Sequence, residues 1–349
     1  MPISKINIIQ FIELPKHIPV LDVRSPGEYD HAHIPRAHAF PLFTNEERKV
    51  VGTAYKQESR EKAIKIGLEY FGKKMVQIVE AAEKIVAASK TGSKEVAVHC
   101  WRGGMRSAAV AWLLDLYGFK VYLLSGGYKA YRAWVREQFD KDYNLLILGG
   151  YTGSNKTGLI KELAKTQNVI DLEALAGHKG SAFGNLDFIT QPSQEHFENL
   201  LGEELYRCIV RDSSSPIWLE AESQRIGLIN IPVVFFKKMR QSKLIQLLVP
   251  FEQRLDFIMQ DYGRHNKEKL INATVRIQKK LGGLETKTAV GFMLENDIKS
   301  GFAILLKYYD KLYLKSVAAN EFKERVISPL ESDTTDPVTN LKKLLSYVS

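Results

Sequence analysis

The chain has 349 residues, of which 45% are hydrophobic and 26% charged, and its net charge is +9. This length suits two domains that each bury a core, and no apolar run is long enough to cross a bilayer. The N-terminal residues carry no signal-peptide pattern, so we expect a cytoplasmic protein without membrane association. Having only Cys100 and Cys208 excludes a disulfide framework and a cysteine-rich metal site, while the positive charge favours an anionic partner.

Strands and helices alternate along the first part of the sequence, as expected of a parallel α/β domain. Residues 20–24 are predicted as a buried strand, residues 25–28 as a turn, and part of residues 33–42 as a second strand. Residues 45–90 have helical spacing, with apolar side chains on one face. Residues 120–124 are predicted as another strand, which is followed by a helix.

A cysteine follows the valine-rich strand predicted at residues 95–99 and begins a glycine-containing loop that leads into an alanine-rich helix. Free amides and the positive end of a helix dipole stabilise both a thiolate and a bound oxyanion. The predicted cradle around Cys100 consists of Arg102, Gly103, Gly104 and Arg106. A structural cysteine would be the simpler interpretation, but it requires neither the glycines nor the arginines. We therefore predict a nucleophilic cysteine in an anion-binding loop.

A second α/β pattern starts near residues 139–144, where the composition becomes polar. We therefore predict two domains, residues 1–140 and residues 141–349. The strands predicted in the second domain cover residues 145–148, 168–171, 216–220 and 231–236. From about Gln241 onward the chain is predicted to be mostly helical.

The strand at residues 145–148 runs into Gly150-x-x-x-x-Asn155-Lys156-Thr157, the Walker A spacing with asparagine at the second glycine position. Asparagine accepts left-handed backbone angles, so the phosphate loop can still form. Lys156 would contact phosphate oxygens, and Thr157 would hold a phosphate oxygen or a magnesium ion. The predicted phosphate-binding residues are Gly150, Gly153, Ser154, Asn155, Lys156 and Thr157.

An acid often accompanies a phosphate loop, and Glu220, at the end of a predicted strand, is the first candidate, with Asp171 and Glu173 as its rivals. A glycine-rich turn with an incidental lysine is the alternative interpretation of the loop. We expect no tightly bound cofactor and no dedicated metal site, although magnesium could accompany the phosphate.

The spacing His99-Cys100-x5-Arg106-Ser107 is also that of cysteine-dependent phosphatases, in which the arginine clamps a phosphate. A phosphatase with an appended nucleotide-binding domain is therefore the alternative function. Residues 21–29 and 33–37 resemble the N-terminal signature of rhodanese domains, which carry sulfur or selenium on a cysteine. Rhodanese sulfurtransferase loops are commonly one residue shorter, and the longer loop suits a larger, tetrahedral oxyanion.

The whole chain resembles the bacterial tRNA 2-selenouridine synthase family. The resembling segments are residues 41–48, 51–57, 100–107, 126–132, 171–173, 178–184 and 220–227. The resemblance implies a rhodanese-like parallel-sheet domain followed by a P-loop NTPase-like α/β domain with a helical C-terminal part. It also implies a transferase acting on wobble 2-thiouridine in tRNAs for lysine, glutamate and glutamine, which uses geranyl diphosphate and then selenophosphate.

The same resemblance implies roles for the two loops. Cys100 would be the selenation cysteine, with Arg102 and Arg106 holding selenophosphate oxygens. Lys156 and Thr157 would bind the diphosphate of the prenyl donor, and a nucleotide at that loop is the alternative.

A basic helical region would hold the tRNA through its phosphates. Its predicted contacts are Arg264, Lys267, Lys269, Arg276, Lys279 and Lys280, with Arg240, Lys243 and Arg254 as further basic members.

Overall fold

The computed structural model of the chain describes residues 3–89, 92–178, 190–262, 266–318 and 327–348. The chain divides into two compact units. The first comprises residues 1–138 with 198–200, and the second comprises residues 139–197 with 201–349. Each unit has a five-stranded parallel sheet flanked by helices, so the α/β fold class predicted from the sequence is confirmed.

The elements of the first unit are β1 (Ser4–Ile6), α1 (Ile8–Ile12), β2 (Val20–Asp22), α2 (Pro26–His31), β3 (Ala37–Ala39), α3 (Asn45–Gln57), α4 (Arg60–Ala88), β4 (Glu95–His99), α5 (Met105–Leu116), β5 (Lys120–Leu124) and α6 (Gly127–Asp140). The strand order is β1-β5-β4-β2-β3, and all neighbours are parallel. β4 is central, so the residue after it lies at the middle of the carboxyl edge, where parallel sheets place their ligand sites.

The helices α3 and α4 form the stretch that the sequence predicted to be helical between residues 45 and 90. Thr44 Oγ1 accepts the Glu47 amide while Glu47 accepts the Thr44 amide, a capping box that starts α3. Ser59 caps α4 by accepting the Lys62 amide. The predicted apolar face of α4 packs into the core of the sheet, with these buried side chains: Ile78, Val79, Ala82 and Val86.

The elements of the second unit are β6 (Leu145–Gly150), α7 (Lys156–Leu163), β7 (Asn168–Ile170), α8 (Leu172–Ala176), α9 (Gln194–Arg211), β8 (Ile217–Glu220), β9 (Arg225–Ile226), β10 (Ile229–Asn230), α10 (Val233–Gln241), β11 (Lys243–Leu248), α11 (Phe251–Tyr262), α12 (Lys267–Arg276), α13 (Gln278–Leu281), α14 (Gly283–Leu294), α15 (Ile298–Ala318), β12 (Ile327–Glu331) and α16 (Pro337–Val348). The parallel sheet has the order β12-β11-β6-β8-β7, and β9 pairs with β10 antiparallel. α11, α12, α14 and α15 share a separate apolar cluster, which includes Leu270, Met293 and Leu305.

Several local predictions are wrong. Residues 25–28, predicted as a turn, begin α2, because Pro26 at its first position has a backbone suited to a helix start. Residues 231–236, predicted as a strand, instead lead into α10, where Phe235 and Met239 lie four residues apart on one buried face. The mostly helical prediction after Gln241 missed β11 and β12.

Candidate functional site

Cys100 lies directly after β4 and before α5, at the strand-to-helix turn that the sequence predicted. Its side chain is buried, and its Sγ accepts the Gly104 amide at 3.3 Å. The Ser107 hydroxyl, itself buried in the first turns of α5, lies 3.1 Å from the same sulfur. Both donors stabilise negative charge on sulfur, so the geometry suits a thiolate nucleophile.

A second glycine-containing turn, at the start of α6, packs against the cysteine loop. The Tyr128 amide donates to the Cys100 carbonyl at 2.8 Å. A Cβ on Gly127 would lie 2.2 Å from that carbonyl oxygen, and a Cβ on Gly103 would lie 2.7 Å from the Leu124 carbonyl oxygen. Both glycines have positive φ, at +56° and +65°. The two turns therefore fit together only without side chains, a requirement that the sequence analysis did not find for Gly127.

The two arginines of the loop have different surroundings. Arg106 donates to both carboxylate oxygens of Glu28, at 2.7 and 3.3 Å, and Arg48 donates to Glu28 at 3.1 Å. Burial alone would raise the pKa of Glu28, but the Arg106 hydrogen bonds and charge lower it to about 2. Arg102 is exposed, and no hydrogen bond or ion pair to it occurs among the described residues. Arg102 is thus the loop arginine without a partner among the described residues, while Arg106 is bound to Glu28.

A buried polar group lies behind the loop. Arg24 donates to Asp22 at 2.6 Å and its guanidinium lies 3.8 Å from the centroid of the Tyr128 ring. His99 Nε2 is 3.8 Å from the Asp22 carboxylate, and burial lowers the pKa of His99 although the Asp22 charge opposes that shift. These side chains are inaccessible, so they support the loop and do not contact a substrate.

A groove of about 700 Å³ opens beside Cys100, between α3, α4 and the start of α5. We call it the α3–α4 groove. Its apolar lining includes Leu42, Phe43, Val51, Tyr55, Ile64, Leu68, Phe71 and Met105. Its basic lining residues are Arg48, Lys49, Lys56, Arg102 and Arg106. This groove could not be predicted from the sequence, since its walls come from segments up to 67 residues apart in the chain, from Leu42 to Ala109.

The second predicted loop joins β6 to α7 in the second unit. Asn155 has φ 58° and ψ 39°, the left-handed conformation expected of it. Its side chain accepts the Gly158 amide at 3.2 Å and donates to the Thr335 carbonyl at 2.9 Å. Gly150 and Gly153 also have positive φ. Asparagine therefore takes over the backbone role of the missing glycine and caps α7 as well.

The functional side chains of this loop converge on one carboxylate. Lys156 Nζ lies 3.5 Å from Glu220 Oε1, and Thr157 Oγ1 lies 3.4 Å from Glu220 Oε2. Burial raises the pKa of Glu220, although Lys156 opposes the shift. Asp171, the rival acid, caps α8 by accepting the Ala174 amide at 2.9 Å. The structure thus brings Glu220, rather than Asp171, to the lysine and threonine of the loop.

Two further acids lie beside Glu220: Glu173, which the sequence indicated as another candidate, and Glu222, which it did not. One carboxylate oxygen from each of Glu173, Glu220 and Glu222 lies within 4.8 Å of the others. Burial, followed by the Glu220 charge, raises the pKa of Glu222 well above its ordinary value. A cation near this group would relieve the repulsion, and carboxylate and hydroxyl oxygens are the ligands that magnesium prefers.

The basic residues predicted for tRNA differ in exposure. Four of them are exposed and lie on α12 or α13, namely Lys269, Arg276, Lys279 and Lys280. Lys267 is half-buried and donates to Asn296 Oδ1 at 2.9 Å. Arg264 lies outside the described residues. Including Arg254 in the basic surface is wrong, because it is buried and pairs with Asp310 at 2.8 Å.

The fold and the two loops define a class of protein in which a rhodanese-like unit and a phosphate-loop unit are joined in one chain. A rhodanese-like domain model matches residues 8–133, and the tRNA 2-selenouridine synthase AAA domain model matches residues 143–336. The chain belongs to the tRNA 2-selenouridine synthase family.

Curated relatives support this membership along most of the chain. The tRNA 2-selenouridine synthase of Nitrosomonas europaea is 33% identical, over 86% of this chain and 89% of its own. The synthases of Sulfurovum sp. and Bdellovibrio bacteriovorus are 32% and 34% identical, each over 86% of this chain and 89% of their own. In the part of the chain that the structure describes, no helix combines the length and apolar character needed to cross a membrane.

Proposed function

We propose that this protein converts wobble 2-thiouridine in tRNA to 2-selenouridine through an S-geranyl-2-thiouridine intermediate. The co-substrates are geranyl diphosphate and selenophosphate, and the tRNAs are those for lysine, glutamate and glutamine. One observation carries the proposal: in a chain of this family, the Cys100 thiol lies in an anion-binding turn beside an apolar groove.

In the prenylation step the thiocarbonyl sulfur attacks C1 of geranyl diphosphate. The new C–S bond forms as the C–O bond breaks, and diphosphate leaves with the bond electrons. Lys156 and the amides of the loop before α7 neutralise the charge that develops on diphosphate. Thr157 and Glu220 would hold magnesium if it accompanies the diphosphate, and the ion would supply further charge neutralisation.

In the selenation step the C2–S bond of the modified base breaks and a C2–Se bond forms. Geranylthiol leaves, and water hydrolyses the Se–P bond to release phosphate. Cys100 Sγ attacks C2 and displaces geranylthiolate, and the selenium of selenophosphate then displaces Cys100 from C2, which regenerates the thiolate that Gly104 and Ser107 stabilise. Arg102, with the amide of Gly103, binds the selenophosphate oxygens, the Gly104 amide stays on the Cys100 sulfur, and Arg106 divides its donors between the substrate and Glu28.

The phosphatase alternative requires an acid that protonates the leaving oxygen. Glu28 is the carboxylic acid that contacts the loop arginine, and its pKa of about 2 keeps it ionised near neutral pH. This carboxylate therefore cannot act as that acid, and the surroundings of Cys100 favour group transfer over phosphoester hydrolysis.

The test separates the two steps. Thiolated tRNA is incubated with geranyl diphosphate, selenophosphate and magnesium, digested to nucleosides and analysed by mass. The wild type should form both the S-geranyl and the selenium nucleoside. Lys156→Ala should lower the rate of S-geranyl formation by about 100-fold, as expected for loss of a charge that stabilises the leaving group.

Lys165→Ala is the matched control, because this exposed lysine follows α7 and pairs with Glu162 away from Glu220. It should leave both products unchanged. Wild-type protein that hydrolyses aryl phosphates and forms neither nucleoside would overturn the proposed function in favour of a phosphatase.

A further inference from the structure

We propose that the α3–α4 groove binds the geranyl chain of the S-geranylated wobble uridine while the base lies at Cys100. This inference rests on the proposed function and assigns the prenyl group of its intermediate to a particular surface of the first unit.

The first argument is continuity between the thiol and the groove. Cys100, Arg102 and Gly104 line the same cavity as Val51 of α3 and Leu68 of α4. A base whose C2 atom lies near Sγ would therefore extend its sulfur substituent into the groove. The volume of about 700 Å³ lies within the roughly 300–1,000 Å³ range of small-molecule sites.

The second argument is the chemistry of the walls. The groove has buried apolar lining residues, namely Leu42, Phe43 and Phe71. Two other apolar lining residues, Leu68 and Met105, are 58% and 52% exposed. Large apolar side chains with half their surface in water, grouped around one concavity, mark a binding surface. A flexible hydrocarbon chain would remove apolar area from water on both partners, which is the main source of favourable binding free energy here.

The third argument is charge. Lys49 and Lys56 add basic groups to the apolar part of the cavity lining. This combination matches a hydrocarbon chain attached to an anionic polynucleotide, whose phosphates would lie against the basic side chains. Free geranyl diphosphate would need several unpaired cations close together, but Arg48 and Arg106 both donate to Glu28. We therefore assign the groove to the tRNA-bound chain rather than to the free donor.

Two glycines allow a matched test. Gly52 on α3 lines the groove, and a Cβ there would meet no atom within 4 Å. Gly72 on α4 has equally open surroundings but is not part of the lining. Leucine at either position raises helix propensity, so both variants should fold. Only Gly52→Leu places a side chain in the groove.

The experiment measures, with the full-length chain, the affinities of labelled anticodon stem-loops that carry S-geranyl- or S-methyl-2-thiouridine. Wild type and Gly72→Leu should bind the geranyl loop at least about 10-fold more tightly than the methyl loop, since several methylenes are buried. In Gly52→Leu this preference should fall to about 2-fold or less, with the methyl-loop affinity unchanged.

Two outcomes would overturn the inference. One is a Gly52→Leu protein that keeps the full preference for the geranyl loop. The other is a Gly52→Leu protein that binds the geranyl loop normally but geranylates 2-thiouridine slowly, which would assign the groove to the donor. Conversion of the S-geranyl loop to 2-selenouridine by the wild type is followed in parallel. Failure of that conversion alone would contradict the proposed function, whereas a wild type that converts the geranyl loop but binds it no more tightly than the methyl loop would contradict the groove assignment alone.

Discussion

At the residue scale, the two cysteines are both buried but differ in their surroundings. Cys100 receives an amide and a hydroxyl at its sulfur, in a turn at the carboxyl edge of the sheet. Cys208 lies within α9, where burial raises the pKa of its thiol to about 11. A thiol with so high a pKa is almost entirely protonated at neutral pH, so Cys208 is unreactive there.

This difference gives a prediction with a built-in control. Cys100→Ser should abolish formation of the selenium nucleoside and leave tRNA affinity within about 2-fold, because serine keeps the size of the side chain but not the nucleophile. Cys208→Ser should retain selenation. Nucleoside mass analysis measures both, and selenation that survives Cys100→Ser would contradict the assigned nucleophile.

Glu28, in the segment that resembles rhodanese domains, binds Arg106 of the cysteine loop. Its contribution to the stability of the protein therefore changes with pH in a predictable direction. Its pKa in the folded protein is about 2, below the ordinary value of 4.5. The stabilisation is therefore fully present above about pH 4.5 and is lost as pH falls towards 2.

Glu28→Gln should consequently lower the unfolding free energy by roughly 2 kcal/mol near pH 7, because it leaves Arg106 half-buried without its carboxylate. The difference from wild type should shrink as pH falls from about 4.5 towards 2, because the Glu28 carboxyl of the unfolded chain takes up a proton in this range while that of the folded protein stays ionised down to about pH 2. Thermal unfolding across this pH range measures the difference in stability between Glu28→Gln and the wild type. A difference that is independent of pH would show that Glu28 acts through packing instead.

At the element scale, both functional loops follow the central strand of a parallel sheet and precede a helix. β4 lies between β5 and β2, and β6 lies between β11 and β8. This position explains why the two loops could be predicted from sequence: a short apolar run, a glycine-containing turn and a helical pattern are all local signals.

Other elements could not be predicted locally, for a physical reason. β11 is a short apolar strand in which the consecutive residues Leu244 and Ile245, on opposite faces of the sheet, are both buried, so it lacks the alternation of a half-exposed strand. Short apolar runs of this kind do not distinguish strand from helix, which is why β11 was predicted as helix and α10 as strand. Pairing with the neighbouring strands of the sheet determines that β11 is a strand.

The fit between the cysteine loop and the turn before α6 gives a prediction at this scale. Gly127→Ala should destabilise the protein by more than about 2 kcal/mol and abolish selenation, because its Cβ would overlap the Cys100 carbonyl oxygen. Gly118→Ala also has positive φ but meets no atom, so it should cost only about 1 kcal/mol. Chemical denaturation measures both, and equal costs would contradict the tight fit.

At the scale of the whole molecule, the net charge of +9 points to a binding surface only when the positions of the charged residues are known. Arg254 is used inside the second unit, where it binds Asp310 and the Thr152 carbonyl. Lys279 and Lys280, in contrast, are exposed together on α13. Composition counts these residues alike, whereas only the exposed ones can contact phosphates.

The affinity for tRNA should therefore fall steeply with salt, with a slope of about −0.7 to −0.9 per phosphate contact. Replacing Lys279 and Lys280 by alanine should reduce that slope by about 1 to 2. Lys342→Ala, an exposed lysine on α16, is the control and should leave it unchanged. Filter binding over a range of salt concentrations measures the slopes. A flat response in the wild type would remove this surface from tRNA recognition.

The sequence by itself determined the fold class, the family, the cysteine loop and the phosphate loop, because strand-to-helix turns with glycines and charged residues are encoded within a few consecutive positions. Tertiary structure alone decided that Glu28 holds Arg106, that Gly127 lies under Cys100, that Glu220 faces Lys156, and that α3 and α4 form an apolar groove beside the thiol. Each of these depends on residues that are distant in sequence, and a linear pattern carries no information about which distant side chains meet when the core is packed.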